Sequence, residues 1–127
     1  MPDDWQHDGP LSIRIVREPI GRAELRMIAA RQFGDFVKAV VDCRMGLLAV
    51  GGELHSDEES VLLSAGSHQP DLWGINLYPD IPSDDWIEYD SMINLRPGQG
   101  NTSRGVDDVA TQQAIIAVVR SLVRDAT

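Results

Sequence analysis

The most informative stretch of the sequence lies in the first half of the chain: residues 36–50 read FVKAVVDCRMGLLAV. Residues 36–42 are rich in β-branched and apolar side chains, and residues 47–50 form a second apolar run. Residues 43–46 lie between them and supply the turn. Two such runs joined by a short turn predict a β-hairpin, which the following pair of glycines ends.

Strands and helices alternate on both sides of this hairpin. The predicted strands are residues 11–16, 36–42, 47–50, 71–78 and 86–96, and the predicted helices are residues 22–33, 56–66 and 109–123. The order β-α-β-β-α-β-β-α is typical of a mainly antiparallel sheet with helices packed on it. We therefore predict a single α+β domain over residues 11–127, preceded by a flexible acidic extension at residues 1–10.

The ends of the helices carry recognisable capping residues. Ser56 followed by Glu59 has the spacing of a capping box, which predicts that the second helix begins at Ser56. Asp107 and Asp108 precede the last helix, where negative charge favours the helix dipole. Gly34 follows the first helix, at the position where a glycine commonly ends one.

Charge and composition exclude several classes of function. The 127 residues include 20 acidic and 11 basic side chains, which gives a formal net charge of −9. A phosphate backbone repels such a surface, so we expect no nucleic-acid partner. No apolar run reaches the roughly 20 residues of a membrane helix, and the acidic start is unlike a signal peptide, so we expect a cytoplasmic protein without a membrane partner. The single cysteine, Cys43, cannot form an internal disulfide, and we expect it to be unreactive.

Alternation along residues 86–96 places polar side chains on one face of the predicted strand. If its hairpin with residues 71–78 is symmetric, Asn76 lies opposite Glu88 and Gly74 lies opposite Asp90. This face then combines carboxylate, amide and guanidinium groups with two aromatic rings: Asn76, Glu88, Asp90, Asn94 and Arg96 beside Tyr78 and Trp86. The pattern is typical of a solvated sheet face and also of a ligand-binding surface. Gly74 favours the second interpretation, because a missing side chain lets a ligand or a backbone come close.

Residues 96–105 join this strand to the last helix and combine three glycines with two arginines. Loops of this kind can hold an anion on their backbone N–H groups, which makes Asn101, Ser103 and Arg104 further candidate binding residues. The loop lacks the Gly-Lys-Ser/Thr end of a phosphate-binding loop, and two aspartates occupy the helix start that a phosphate would need. The alternative is a structural loop that its arginines cross-link to nearby carboxylates.

Proton transfer has three candidate residues. His55 is the best-placed histidine, because the other two lie in the extension and in a turn. Glu53 and Asp90 are the candidate catalytic carboxylates that we pair with it. Glu53, His55 and Asp57 alternate as metal ligands would, but a helix start explains the same acidity, so we predict neither a metal site nor a cofactor.

Several segments form a recognisable set when they are taken together. They are residues 16–20 (VREPI), 51–59 (GGELHSDEE), 71–79 (DLWGINLYP) and 90–97 (DSMINLRP), with Gln99-Gly100-Asn101 and Ser103-Arg104. As a set they resemble a family of short uncharacterised prokaryotic proteins, the domain of unknown function 5674. The likeness covers residues 11–123 and implies a stand-alone cytosolic domain. It implies no activity and no catalytic residues. The acidic extension is the main departure from the family.

Three hypotheses of function follow from these patterns. The first is a module that binds a small polar or anionic ligand or a protein partner, which the clustering of polar groups without a nucleophile-base pair favours. The second is a small hydrolase-like enzyme that uses carboxylates with His55 as acid and base. The third is a structural subunit of a homo-oligomer such as a homodimer, which a large apolar patch apart from the polar cluster would favour.

Overall fold

The structure is a computed structural model that describes residues 12–124, and it confirms the central hairpin. Strands β3 (Val37–Asp42) and β4 (Leu47–Val50) are antiparallel. The fully buried Asp42 fixes the turn, because its Oδ1 accepts hydrogen bonds from two N–H groups of the turn, both at 2.9 Å. Gly46 ends the turn with a left-handed φ of 68°, a conformation that glycine adopts without strain.

Five strands form one sheet with β3 at its centre. The other three are β1 (Arg14–Val16), β5 (Leu72–Leu77) and β6 (Ile87–Glu88), and the order across the sheet is β1–β4–β3–β5–β6. All neighbouring pairs are antiparallel, which confirms the predicted fold class. A separate parallel pair, β2 (Ile20–Gly21) with β7 (Val123–Arg124), was not predicted, because strands of two residues have no periodicity to detect.

Helices cover both faces of this sheet. α1 (Arg22–Arg31) and α3 (Val109–Leu122) pack on one face, and α2 (His55–Ser64) packs on the other, which we call the α2 face. β3 therefore contributes alternate residues to two cores, and this double burial explains its nearly continuous apolar sequence. None of the three helices in residues 12–124 has the length and apolarity needed to cross a membrane.

The predicted helices are present, with small shifts at their ends. α1 ends at Arg31 rather than at residue 33, and Gly34 follows with φ of 97°. α3 begins after Asp108, whose carboxylate accepts a hydrogen bond from the Thr111 N–H at 3.0 Å, which confirms the predicted cap. Of the predicted first strand, residues 14–16 form β1. Residue 11 and the predicted extension at residues 1–10 lie outside the described residues.

The capping box predicted at Ser56 is wrong. α2 begins one residue earlier, at His55, and has no side-chain cap. Glu58 rather than Glu59 reaches back to the chain before the helix, where its Oε2 accepts a hydrogen bond from the Gly52 N–H at 3.0 Å. His55 and Glu58 are both buried against the sheet, so tertiary contacts rather than local capping determine where the helix starts.

The long strand predicted over residues 86–96 is wrong beyond its first residues. β6 spans only Ile87–Glu88, and the chain then leaves the sheet and turns through a 3-10 helix at Met92–Asn94. Ser91 caps this helix, since its Oγ accepts a hydrogen bond from the N–H of Ile93 at 3.3 Å. A capping serine and a sheet-facing serine look the same in an alternating pattern, so the pattern could not reveal the turn.

The predicted register of the last hairpin is half right. Asn76 lies opposite Glu88, as predicted. Gly74 does not pair with Asp90, because Asn94 makes hydrogen bonds with both backbone polar groups of Gly74. The gap at Gly74 is filled as well: a Cβ built there would lie 2.5 Å from the Cβ of Ser91. The missing side chain at Gly74 predicted that a ligand or a backbone comes close. The group that does so is Ser91 of the protein itself.

Candidate functional site

One row of polar side chains crosses three strands on the α2 face of the sheet. Lys38 of β3 pairs with Asn76 of β5, and Asn76 pairs in turn with Glu88 of β6. Neighbouring strands lie about 4.8 Å apart, so the three side chains stand side by side, and we call them the polar row. Lys38 was missed from the sequence, because its place in the row depends on the pairing of two strands that are far apart along the chain.

Asn76 is the centre of the polar row, and of its side-chain amide only the nitrogen has hydrogen-bond partners in residues 12–124. Its Nδ2 donates hydrogen bonds to Oε1 of Glu88 at 2.9 Å and to the carbonyl of Asp90 at 3.4 Å. The residue is 7% exposed, and its Oδ1 is buried without a hydrogen-bond partner in residues 12–124. Because Nδ2 is turned towards β6, Oδ1 is turned away from Glu88. The row therefore contains one fixed, unused acceptor.

Glu88 connects the polar row to Tyr78. Oε1 of Glu88 accepts the hydrogen bond from Asn76 and a second one from the Tyr78 hydroxyl at 3.1 Å. Desolvation raises the pKa of Tyr78, and the hydrogen bond to Glu88 raises it further, because it requires the protonated hydroxyl. Tyr78 thus acts as a donor that holds the carboxylate in place.

Three aromatic rings lie beside the polar row. The ring centroids of Phe33 and Phe36 are 4.8 Å apart, and those of Phe36 and Tyr78 are 5.2 Å apart, both in stacked orientation. We call these three residues the aromatic ladder. Phe36 directly precedes β3 and Tyr78 directly follows β5, so both rings lie at the end of the sheet next to Lys38 and Asn76. The Lys38 Nζ lies over the Phe33 ring, 5.2 Å from its centroid, so the ladder and the row are in contact.

His55, at the start of α2, adds a neutral imidazole. Its Nε2 lies 2.8 Å from the carbonyl oxygen of Ile75, and since a carbonyl can only accept, Nε2 carries the proton. Burial lowers the pKa of His55, and the charges of Lys38 and Arg104 lower it further against the opposing effects of Ile75 and Asp90. His55 is thus uncharged at neutral pH, with an unprotonated Nδ1.

An ion pair borders this group of residues. Arg104 Nε lies 2.6 Å from Asp90 Oδ1, and both side chains are about half exposed, at 54% and 46%. The Asp90 carbonyl accepts from Asn76, while the Arg104 carbonyl accepts from the Ser91 N–H at 2.9 Å. The pair is therefore anchored by its backbone on both sides, and its charges affect the pKa of His55.

Two predicted binding residues, Asn94 and Asn101, are buried and hold the loop together. Asn94 bonds both backbone groups of Gly74 and donates to the Arg104 carbonyl at 2.9 Å. Asn101 Nδ2 donates to the carbonyls of Asn94 and Gly105, both at 2.8 Å. Their polar groups are used within the protein, so these contacts make them part of the scaffold of the site.

Comparison with known proteins shows the family. A family model described as a protein of unknown function (DUF5674) matches residues 14–122. The chain belongs to the DUF5674 family. Its matched range includes the polar row, the aromatic ladder, His55 and the Asp90–Arg104 pair. No curated protein and no solved structure matches the chain.

This DUF5674 domain uses Arg96 away from the polar row. The Arg96 guanidinium lies 4.2 Å from the ring centroid of Trp73, a residue of the core on the α1 and α3 side. It donates hydrogen bonds to the carbonyls of Gln69, at 2.6 Å, and of Leu72. Arg96 therefore joins its own loop to the segment that leads into β5, and the structure does not bring it together with Asn76 and Arg104.

The glycine-arginine loop of the DUF5674 domain satisfies most of its own N–H groups. Those of Gln99, Gly100 and Asn101 donate to carbonyls of the loop, and that of Gly105 donates to the Ser103 Oγ at 3.1 Å. The Ser103 hydroxyl itself donates to Asp107 at 2.6 Å. These internal bonds favour the structural interpretation of the loop over the anion nest.

The structure separates Glu53 from His55. Glu53 is exposed and lines a cavity of about 280 Å³ with Arg31 of α1 and Gln32 just after it, on the other side of the sheet. In residues 12–124, no three His, Cys, Asp or Glu side chains are grouped so that they could hold a metal ion. Of the sequence candidates, the structure therefore brings together His55, Asn76, Glu88, Asp90 and Arg104, and it adds Lys38 and Tyr78.

Proposed function

We propose that this domain is a cytoplasmic binding module for a small polar ligand, which it holds over the polar row. The observation that supports the proposal is the buried Oδ1 of Asn76, which has no partner in residues 12–124. Leaving a buried acceptor unpaired costs about 1–3 kcal/mol, and such groups are few in native proteins. A ligand that supplies a hydrogen-bond donor would offset this cost.

The amide of Asn76 cannot turn over to satisfy its own oxygen. A flip would place Oδ1 against Oε1 of Glu88, which now accepts from Nδ2 at 2.9 Å, and two acceptors would then face each other. Tyr78 holds Glu88 in place from the other side. The orientation of the acceptor is thus fixed before any ligand arrives, which lowers the entropic cost of binding.

The charges around the polar row favour a polar ligand over a simple anion. Lys38 and Arg104 are cations, Glu88 and Asp90 are carboxylates, and Arg104 is already paired with Asp90. Lys38 makes no salt bridge with any residue in the described part of the chain. A ligand would therefore meet one available cation, one fixed acceptor and a neutral imidazole.

A thermal-shift screen tests the proposal. Small amines, amides, sugars, nucleosides and organic anions are added to wild type, to Asn76→Ala and to Gln113→Ala. Gln113 is a matched control, because it is an exposed amide on α3, on the opposite side of the sheet. We expect at least one compound to stabilise wild type and Gln113→Ala but not Asn76→Ala. The proposal fails if no compound stabilises wild type, or if Asn76→Ala responds as wild type does.

A second candidate function is hydrolysis, which the state of His55 favours. Its Nε2–H is held by Ile75, which leaves the unprotonated Nδ1 as the atom that would accept a proton from a catalytic water, and Asp90 is close enough to affect the pKa of His55. Hydrolysis of p-nitrophenyl esters and phosphates is compared in wild type, His55→Gln and Glu53→Gln. We expect His55→Gln to abolish any activity and Glu53→Gln to retain it. Activity that survives His55→Gln would exclude this candidate.

A further inference from the structure

The polar row and the aromatic ladder together indicate which class of ligand fits the site. We infer that the ligand is an uncharged nitrogen heteroaromatic compound, such as an amino-bearing nucleobase or its nucleoside. Its ring stacks on the aromatic ladder, and its hydrogen-bonding edge meets Lys38 and Asn76. The inference rests on the proposed function and names the class of ligand for the same site.

The aromatic ladder offers a surface for stacking. Phe33 is 37% exposed, and Phe36 and Tyr78 are partly buried behind it in stacked orientation. Aromatic side chains that are left open in this way bind the π-face of a base. The Lys38 Nζ lies 5.2 Å from the centroid of Phe33, so a face of this ring is open to a polar group instead of being packed in the core.

The polar row offers an edge with a donor next to an acceptor. The Lys38 ammonium is the donor, and the unpaired Oδ1 of Asn76 is the acceptor, on neighbouring strands in register. Adenine and cytosine have the complementary edge, an amino group next to an unprotonated ring nitrogen, and enzymes that hold an extruded base read this edge while they stack its ring. The amino group would donate to Asn76, and Lys38 would donate to the ring nitrogen.

One side chain connects the two halves of the site. Lys38 stands beside Asn76 on the sheet, and its ammonium reaches Phe33. The Lys38 side chain therefore extends from beside the acceptor to the stacking position, and the proposed base lies along the same path. An incoming ring displaces the ammonium from Phe33, and the flexible stem of Lys38 lets it turn to the ligand and uncover Asn76.

The surrounding charges argue for a ligand without phosphate. Partial burial raises the pKa of Tyr78, and the carboxylates of Glu88, Asp35 and Asp90 raise it further, so all three acids lie near the ladder. The chain as a whole has a formal charge of −9. Phosphate groups would be repelled at this end of the sheet, whereas a neutral base or nucleoside would not.

Calorimetric titrations of the full chain with adenosine, cytidine, purine riboside, N6,N6-dimethyladenosine and AMP test this inference. Purine riboside and N6,N6-dimethyladenosine keep the ring and its unprotonated nitrogen but have no amino N–H to donate to Asn76. We expect adenosine and cytidine to bind more tightly than these two analogues, and AMP to bind no more tightly than adenosine. Phe33→Leu and Asn76→Ala should each weaken adenosine binding by about tenfold, since stacking on the exposed ring and a buried hydrogen bond each contribute about that much. Gln113→Ala should bind as wild type.

The outcomes separate this inference from the proposed function. Suppose that compounds of another class, such as amines or sugars, stabilise wild type but not Asn76→Ala, while adenosine and cytidine do not bind. The proposed function then stands and the inference is wrong. If no compound binds, both are wrong. Tighter binding of AMP that weakens with salt would show that phosphate is recognised, and binding of purine riboside as tight as that of adenosine would show that the amino group is not recognised. Either result overturns the inference. Lys38→Met serves as a second variant, because it keeps an unbranched side chain and removes the ammonium; it should weaken the binding of adenosine and of purine riboside alike.

Discussion

The side chain of Asn94 makes two hydrogen bonds to the backbone of Gly74. Its Oδ1 accepts from the Gly74 N–H at 2.9 Å, and its Nδ2 donates to the Gly74 carbonyl at 3.0 Å. A carboxamide has the same donor and acceptor as a peptide group, so Asn94 replaces the strand residue that would otherwise pair with Gly74. β6 can therefore leave the sheet after two residues, and the chain beyond it turns towards the candidate site.

Asn94→Ala should be strongly destabilising. The substitution leaves the backbone groups of Gly74 unpaired in the interior and removes the bond to the Arg104 carbonyl, so we expect a loss of about 2–4 kcal/mol in the free energy of unfolding. Urea denaturation measures it, with Gln113→Ala as a control that should stay within about 0.5 kcal/mol of wild type. A loss below about 1 kcal/mol would mean that water replaces the amide.

Gly74→Ala tests how closely the turn packs on β5. A Cβ at this position would lie 2.5 Å from Cβ and 2.6 Å from Oγ of the buried Ser91. We expect a loss of about 1–3 kcal/mol, because the backbone must shift to relieve the contact. Ser91→Gly removes the side chain that the new Cβ would contact, so it should recover part of the lost free energy of unfolding. A double-mutant cycle measures this recovery. Additive effects of the two substitutions would contradict the contact.

Glu58 should make the protein less stable as the pH rises. Burial raises the pKa of this fully buried carboxyl well above 4.5, and the Gly52 hydrogen bond opposes the rise only in part. The folded state therefore binds the proton more tightly than the unfolded state. The resulting stability is fully present below pH 4.5 and is lost as the pH increases through the folded pKa, at up to about 1.4 kcal/mol per pH unit. Glu58→Gln should flatten this slope in urea titrations, and an unchanged slope would contradict the assignment.

His55 should have the opposite effect in mildly acid solution. Burial lowers its pKa below 6.5, so the unfolded state binds the proton first and stability is lost as the pH falls from 6.5 through the folded pKa. Between pH 4.5 and 6.5 this loss opposes the contribution of Glu58. His55→Gln retains a donor for the Ile75 carbonyl and does not titrate. The difference in free energy of unfolding between wild type and this variant should therefore change below pH 6.5 and stay constant above it.

Cys43 should be unreactive in the folded protein. Burial raises the pKa of its thiol to about 11, and the carboxylates of Asp42 and Asp71 contribute to the shift. At pH 8 only about one thiol in a thousand is ionised, so alkylation by iodoacetamide should be roughly a hundredfold slower than in the unfolded chain. Intact-mass measurements with and without urea follow the reaction. Equal rates in the two conditions would contradict the burial.

Local patterns in the sequence determined most of the secondary structure. The central hairpin, the three helices and the antiparallel α+β class follow from residue periodicity, from turn residues such as Gly46 and from the Asp108 cap, all of which act within a few residues along the chain. The opposition of Asn76 and Glu88 was also predicted, because one short loop joins their strands.

The roles of the polar residues depend on tertiary contacts that the sequence did not predict. The alternating pattern assigned the same exposed face to four polar residues: Asn76, Glu88, Asn94 and Arg96. In the structure, Asn94 pairs with Gly74 and Arg96 covers Trp73. Asn76 retains an acceptor without a hydrogen-bond partner in residues 12–124. Lys38 joins the candidate site through the pairing of β3 with β5. These differences arise from hydrogen bonds and packing between segments that are far apart in the sequence. The residues next to each polar group along the chain do not specify which distant group it will contact.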